Sequence, residues 1–324
     1  MPLISCRYES KIGHKKYGFH CVIISLQLSL INVTFRVIKY AATQIQLMKK
    51  STIISFIFLC FMMMSAANNF AQGSKETIKA TPQSEKKTIH LFNGKNLDGW
   101  YTFLQKSGRN NDPQKVFSVA GGMIHIGGEE WGCITTNKEY QNYRLVVEFK
   151  WGGKTYAPRI NNARDCGILL HSKGADGGSQ GIWMHSIECQ IIEGGTGDFI
   201  VVGDGSDSFQ LTTTIAKEKT DDSYVYLPGG DTMKLTSNRI NWYARDAGWK
   251  DVIGFRGAKD IEKPTGEWNR MECIANDGEL TVILNGTVVN HAFNVAPRNG
   301  RIQIQAEGAE ILFRLVDLVP ITGK

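Results

Sequence analysis

Glu188 and Gln190 sit two residues apart on a stretch that otherwise reads as buried. Across residues 186–193 the side chains alternate, with Glu188 and Gln190 on one face and Ile187, Cys189 and Ile191 on the other. Core strands seldom carry glutamate unless it is paired or reacting. The pair therefore reads as a general acid or base with a hydrogen-bonding neighbour, or as half of an ion pair with arginine on a sheet face. A second apolar strand, residues 166–172, carries His171 near its end and follows Arg164. A glycine-rich connection bearing Trp183 and His185 joins the two.

Other residues could join such a site. On the last strands Arg301, Gln303, Gln305 and Glu307 alternate against Ile302, Ile304 and Ala306. That polar face is either solvated or, if concave, turns Gln305 toward a ligand. Trp100 and Trp183 could stack on a ligand or fill a core. Asp198, Asp204 and Asp207 offer oxygens to calcium but lack the EF-hand spacing. Glu188, Glu193 and His185 are further ligand candidates for a divalent ion, with Glu193 and Asp198 the first to test. No spacing here demands a cofactor.

Strands must position these groups. Short apolar runs separated by Gly, Asn and Asp recur at residues 125–126, 143–151, 167–172, 187–192, 268–275, 280–284, 288–293, 301–305 and 310–318, and no long segment has a helical period. The pattern predicts an all-β sandwich or jelly roll. Residues 279–284, then Asn285-Gly286, then Thr287-Val288-Val289, predict a hairpin with an Asn-Gly turn. Residues 201–257 are the least regular and read as a functional rim or a decorated insertion.

The N-terminal third has a different character. Met48-Lys49-Lys50, an apolar run to Met64 and small residues to Ala71 predict a secretory signal peptide over 48–71, too short for a membrane span. Residues 1–47 read as a gene-model extension upstream of it, 72–87 as a flexible leader, and 88–324 as the folded domain. The expected location is secreted or periplasmic, with no membrane span in the mature chain. Eight of the 37 Lys and Arg, but one of the 31 Asp and Glu, precede Gln72, leaving 29 basic against 30 acidic residues. The basic balance of the whole chain is therefore no argument for nucleic acid. Cys133, Cys166, Cys189 and Cys273 form no CxxC and read as buried thiols, although export would permit a Cys166–Cys189 bond.

From LFNGKNLDGW at residues 91–100 onward, the motifs follow a familiar order. They are Gly121 to Ile124, Thr135-Thr136 with Tyr140, Tyr143-Arg144-Leu145 leading to Glu148-Phe149-Lys150-Trp151, and Gly167-Ile168-Leu169. Then come Ile187-Glu188-Cys189-Gln190, Gly266-Glu267-Trp268-Asn269, Leu284-Asn285-Gly286, residues 300–305 and Phe313-Arg314. The chain resembles the 3-keto-disaccharide hydrolase family, also described as 3-keto-glucoside 1,2-lyases and 3-keto-2-hydroxy-glucal hydratases. The resemblance covers residues 88–321. It implies a concanavalin A-like jelly-roll sandwich of two antiparallel sheets that acts on a small carbohydrate already oxidised at C3. Two departures mark a subgroup: Asp165-Cys166-Gly167 where many members carry Asn-Ser-Gly, and the Gly195 to Phe199 run with the long segment after it.

A 3-keto group acidifies the hydrogen on C2. Its removal, followed by β-elimination at C1 and addition of water, amounts to hydrolysis. Such a site needs a base, an electrophile for the enolate oxygen and an acid for the leaving oxygen. In that light Glu188 is the first candidate base and His171 the second, Arg164 the electrophile, and Gln190, Trp100, Trp183, His185 and Gln305 the substrate binders. A metal could replace Arg164. The chemistry also calls for an upstream sugar 3-oxidoreductase as a pathway partner. The rivals are a carbohydrate-binding module, which would show an aromatic platform without an acid or base, and a conventional glycosidase, which needs two carboxylates at cleavage separation.

Overall fold

The computed structural model describes residues 87–220 and 222–322. The extension, the signal peptide and most of the leader lie outside the described residues. Those that are described form strands and turns, and no helix among them is long and apolar enough to cross a membrane.

Two sheets face each other. The first runs Phe117–Ala120, Met123–Ile126, Ala309–Pro320, Tyr143–Thr155, Asn269–Asn276, Glu279–Leu284 and Thr287–Ala296, with Ile89–His90 beside the far half of Ala309–Pro320. The second runs Gly108–Arg109, Trp100–Leu104, Gly132–Thr136, Asn299–Ala306, Asp165–Lys173, His185–Ile192, Phe199–Val202, Asn238–Asn241, Ser223–Tyr226 and Gln210–Thr220. Gln210–Thr220 also pairs with Asp231–Leu235 and with the end of Thr287–Ala296, which passes from one sheet to the other. This is the expected jelly-roll sandwich. Its pairings are antiparallel except between Ser223–Tyr226 and Asn238–Asn241, which are parallel.

Alternation builds the core. Leu145, Val147, Phe149 and Trp151 point inward from one sheet, against Ile168, Leu170, Ile187 and Ile304 from the other. Each such side chain contributes about 1.5–3 kcal/mol on burial. The opposite face of the first sheet is polar, and Arg144, Glu272, Arg270, Glu148 and Arg314 form a chain of ion pairs across it. The Asn-Gly hairpin is present, with Asn285 and Gly286 both at positive φ, as the right-handed twist of the flanking strands requires.

The second sheet departs from simple alternation. Asp165–Lys173 and His185–Ile192 are buried on nearly every residue, so both faces are covered. One face meets the core. On the other, residues 174–184 fold back, and Ile182 and Trp183 pack with Cys133, Leu169 and Val202 into a smaller apolar cluster. Residues 201–257, read from sequence as an irregular rim, instead supply four strands that widen this sheet. Cys133, Cys166, Cys189 and Cys273 are free and buried.

Candidate active site

The register of the second sheet decides which side chains meet. Thr135, Gln303, Leu169, Glu188, Ile200 and Arg239 stand in one row across six strands. Arg239 is two strands from Glu188, about 10 Å between backbones, a gap that two long side chains can span. One step along the strands, Gly167 pairs with Gln190, and its strand lies beside the one carrying Gln305. A Cβ on Gly167 would collide with the Glu188 carboxylate and the Gln305 amide oxygen, so the missing side chain makes the space that these two groups occupy.

The result is a cavity of about 330 Å³ on the covered face of the second sheet. Asp165, Glu188 and Glu307 are its carboxyls, Arg239 its cation, and Gln190 and Gln305 its amides. Residues of the folded connection, Ser179, Gln180 and Trp183, form another wall. Glu188 is only 4% exposed. Burial, with the neighbouring Asp165 charge second, pushes its pKa up to about 8. Burial also raises Asp165, to about 7, against the pull of Arg159 and Arg239. Arg159 Nη2 lies 3.2 Å from Asp165 Oδ2, and Gln190 Nε2 donates to Asp165 Oδ1. Glu307 is raised well above the carboxylate range by burial, then by Asp165 and Glu188, although part of its side chain meets solvent. Burial and the neighbouring carboxyls thus raise all three.

Asp198 holds Arg239 in place. It is fully buried and accepts from Trp242 N at 2.7 Å, from Arg239 Nη1 at 3.1 Å and from Arg245 Nη1 at 3.1 Å. Burial raises its pKa against the pull of Arg245 and Arg239.

Of the residues expected from sequence, the cavity brings together Glu188, Gln190, Trp183 and Gln305. Arg164 lies elsewhere. Its Nη1 binds Glu193 Oε1 at 2.7 Å and Thr265 Oγ1 at 3.1 Å, so it cannot serve as the electrophile in this cavity. His171 is turned toward the interior by a bulge near the end of its strand. It donates from Nδ1 to Pro297 O at 2.7 Å, lies edge-on to Tyr143, and is pushed down to about 4 by burial. Trp100 belongs to the core and donates from Nε1 to Leu91 O at 2.6 Å. His185 packs against Phe209, with 5.2 Å between ring centroids.

The metal candidates fit an ion poorly. The Glu193 carboxylate takes Arg164, Thr265 and the Arg164 and Gly254 amides, and the Asp198 oxygens are taken by two arginines and an amide. Asp207 pairs with Lys234, and Asp204 is exposed. Among the described residues no group of three or more His, Cys, Asp or Glu is placed to hold a metal.

Sequence reasoning passed over Asp165, Arg239 and Glu307 as site residues. Asp165 carried a signal, as the acid standing where the family pattern has Asn. Glu307 continues the Arg301–Gln303–Gln305 alternation. Arg239 lies in a segment without a visible strand pattern.

The chain is thus a two-sheet sandwich with a carboxyl-lined cavity on one sheet, and comparison with known families narrows this. The chain belongs to the family of 3-keto-alpha-glucoside-1,2-lyase-like domains, whose model matches residues 87–318. No curated protein matches the chain. Among solved structures, a protein of Parabacteroides distasonis ATCC 8503, provisionally titled a glycosyl hydrolase, is similar at 19% identity over 72% of this chain and 94% of that one, with a TM-score of 0.44. A Bacillus licheniformis beta-glucanase is similar at 10% identity over 74% and 100%, with a TM-score of 0.38. The Bacillus subtilis carbohydrate-binding module CBM66 is similar at 9% identity over 68% and 94%, with a TM-score of 0.37.

Proposed function

We propose that the protein is an exported enzyme that cleaves 3-keto-glycosides by removing the C2 proton, expelling the C1 substituent and adding water. The observation that carries this reading is the cavity itself, where the carboxyls of Asp165, Glu188 and Glu307, all raised by burial, line one space with the Arg239 guanidinium. Near neutral pH Asp165 ionises first, because Arg159 lies beside it. Glu188 follows, and its ionised form is the base for C2. Glu307, whose carboxyl burial also raises, is the acid for the leaving oxygen. Arg239 takes the role first sought in Arg164, with its guanidinium fixed by Asp198 and available to the developing enolate oxygen. Gln190 and Gln305 bind hydroxyls, and Trp183 forms the apolar wall. The 3-keto sugar would come from a sugar 3-oxidoreductase acting in the same compartment.

The same carboxyls give a second reading, since two of them could serve a conventional glycosidase. Parallel assays of 3-keto-trehalose and trehalose, with and without EDTA and with Glu188→Gln, separate the two. Turnover of the keto sugar alone, lost in the variant, is expected. Turnover of plain trehalose would replace the enolate mechanism with ordinary glycoside hydrolysis, and binding without turnover of either would make this a carbohydrate-binding module. Loss of activity in EDTA would bring a metal into the site.

A further inference from the structure

The connection at residues 174–184 supplies Ser179, Gln180 and Trp183 to the first cavity, yet its anchors lie outside that cavity. Tyr101 stands in the same row as Glu188, beyond Thr135, Gln303 and Leu169. Four strand spacings separate the two, about 19 Å between backbones. The Tyr101 hydroxyl donates to Asp176 Oδ1 at 2.8 Å, and Arg109 Nη1 donates to Asp176 Oδ2 at 3.1 Å. The Arg109 guanidinium lies 3.7 Å from the Tyr101 ring centroid, so the three groups form one cluster. Burial, then the bond to Asp176, pushes the Tyr101 pKa up to about 12, which keeps its hydroxyl a donor at neutral pH. At the other end of the connection Met184 N donates to Gln303 Oε1 at 3.1 Å. The fully buried Gln303 donates in turn to Thr135 Oγ1 at 3.0 Å.

The two anchors differ in kind. Gln303 is sealed within the sheet, whereas the Arg109 side chain is 54% exposed, and an exposed ion pair contributes little by itself. Between the anchors the chain is first pliant and then stiff. Gly174 and Gly177 are at positive φ, and a Cβ on Gly174 would meet nothing within 4 Å. Ser179 and Trp183 then exchange backbone hydrogen bonds at 2.8 and 3.0 Å, closing a small loop in which Gln180 and Gly181 are both at positive φ. That loop moves as one body, so whatever fixes its start fixes its three cavity residues together. We propose that Asp176 is a positioning residue for the first cavity: it latches the connection onto Tyr101 and Arg109 and so holds Ser179, Gln180 and Trp183 in the cavity wall. The proposal rests on the reading of that cavity given above, and it concerns the wall rather than the reacting groups. Without the latch, the pliant stretch at Gly174–Gly177 lets the loop turn about its fixed end at Met184 and draws the wall away from Glu188.

The test follows deuterium uptake and steady-state kinetics in the full chain for the wild type, Asp176→Ala, Asp176→Asn and Tyr101→Phe. Asp176→Ala and Tyr101→Phe are expected to raise uptake in residues 174–184 while uptake in the Asn-Gly hairpin, residues 279–296, stays at the wild-type level. On a 3-keto-disaccharide both should raise KM about fivefold, the worth of one net hydrogen bond, with kcat changed less than about twofold. Asp176→Asn keeps an acceptor for Tyr101 and should recover most of both effects. Unchanged uptake in 174–184 in Asp176→Ala and Tyr101→Phe overturns the latch. Raised uptake with KM intact in an active protein also overturns it, because Asp176 would then order the connection without serving the cavity. Uptake is read without substrate, which keeps the two ideas apart. A wild-type protein that turns over no keto sugar rejects the proposed reaction; raised uptake in the two variants then still upholds the latch, and unchanged uptake rejects it as well.

Discussion

Replacing Glu188 with glutamine should stabilise the protein while removing its activity, and the gain should depend on pH. The carboxyl titrates at about 8 in the folded chain, against an ordinary value of 4.5. Between those values the native state holds a proton that the unfolded chain has released. Its contribution to stability is therefore complete below pH 4.5 and is lost as pH rises through 8. Glutamine keeps the shape and the hydrogen bonding toward Gln305 but cannot ionise. Linkage gives a difference of about 1 kcal/mol at pH 5 that grows to about 3 kcal/mol at pH 7. These are ceilings, because water entering the cavity screens a charged Glu188.

Urea unfolding at the two pH values measures this directly, with equal slopes showing that the same surface is exposed. For a domain of this size the melting temperature should rise by up to about 3 °C at pH 5 and about 10 °C at pH 7. A difference independent of pH would mean that Glu188 is not held protonated by its surroundings. A variant less stable than wild type at pH 7 would mean that the carboxylate is satisfied as an ion, which would remove the basis for assigning it a reactive role.

Three further outcomes follow from the same geometry. Gly167→Ala should lower kcat/KM by about a hundredfold with a stability change under about 1.5 kcal/mol, because the added methyl displaces the ends of Glu188 and Gln305 rather than backbone; paired unfolding and rate measurements check it, and an active variant would place the chemistry elsewhere. Arg164→Ala should destabilise by about 3–5 kcal/mol by leaving Glu193 buried without its cation, while the folded fraction keeps its KM; a KM change without a stability change would return Arg164 to the site. The pH dependence of kcat/KM should rise through about 8 as Glu188 deprotonates, and Glu307→Gln should abolish any fall at higher pH, so a profile flat from pH 6 to 9 would remove Glu188 as the base.

Much of this was legible in the sequence wherever period-two alternation is strong. Glu188 and Gln190 declared themselves because the residues between them are apolar, and Gln305 did so for the same reason. The Asn285-Gly286 hairpin followed from turn chemistry alone. What could not be read is which distant strands become neighbours. Arg239 reaches the cavity only because Phe199–Val202 pairs with both His185–Ile192 and Asn238–Asn241, and nothing local in residues 201–257 announces that pairing. His171 failed for a related reason. Alternation assigns it a face, but a register shift near the end of its strand gives it the other one. Arg164 was chosen for its position just before the strand, and a partner 29 residues away, Glu193, decides where its charge goes.

The charge arrangement explains why the same residue types play different parts. Asp198 and Glu193 are buried carboxylates with cations against them, and they serve as struts. Asp165 has one arginine at 3.2 Å and titrates at about 7. Among the described residues Glu188 has no ion-pair partner within 4 Å, and burial pushes it up to about 8. Asp198 accepts from Nη1 of Arg239, and the Arg239 charge lowers the Glu188 pKa without overcoming its burial. Asp198 therefore serves as a strut for the one cation that lines the cavity with Glu188. An acidic residue that sequence inspection offers as a metal ligand is, in the fold, the group that holds Arg239 in the cavity wall.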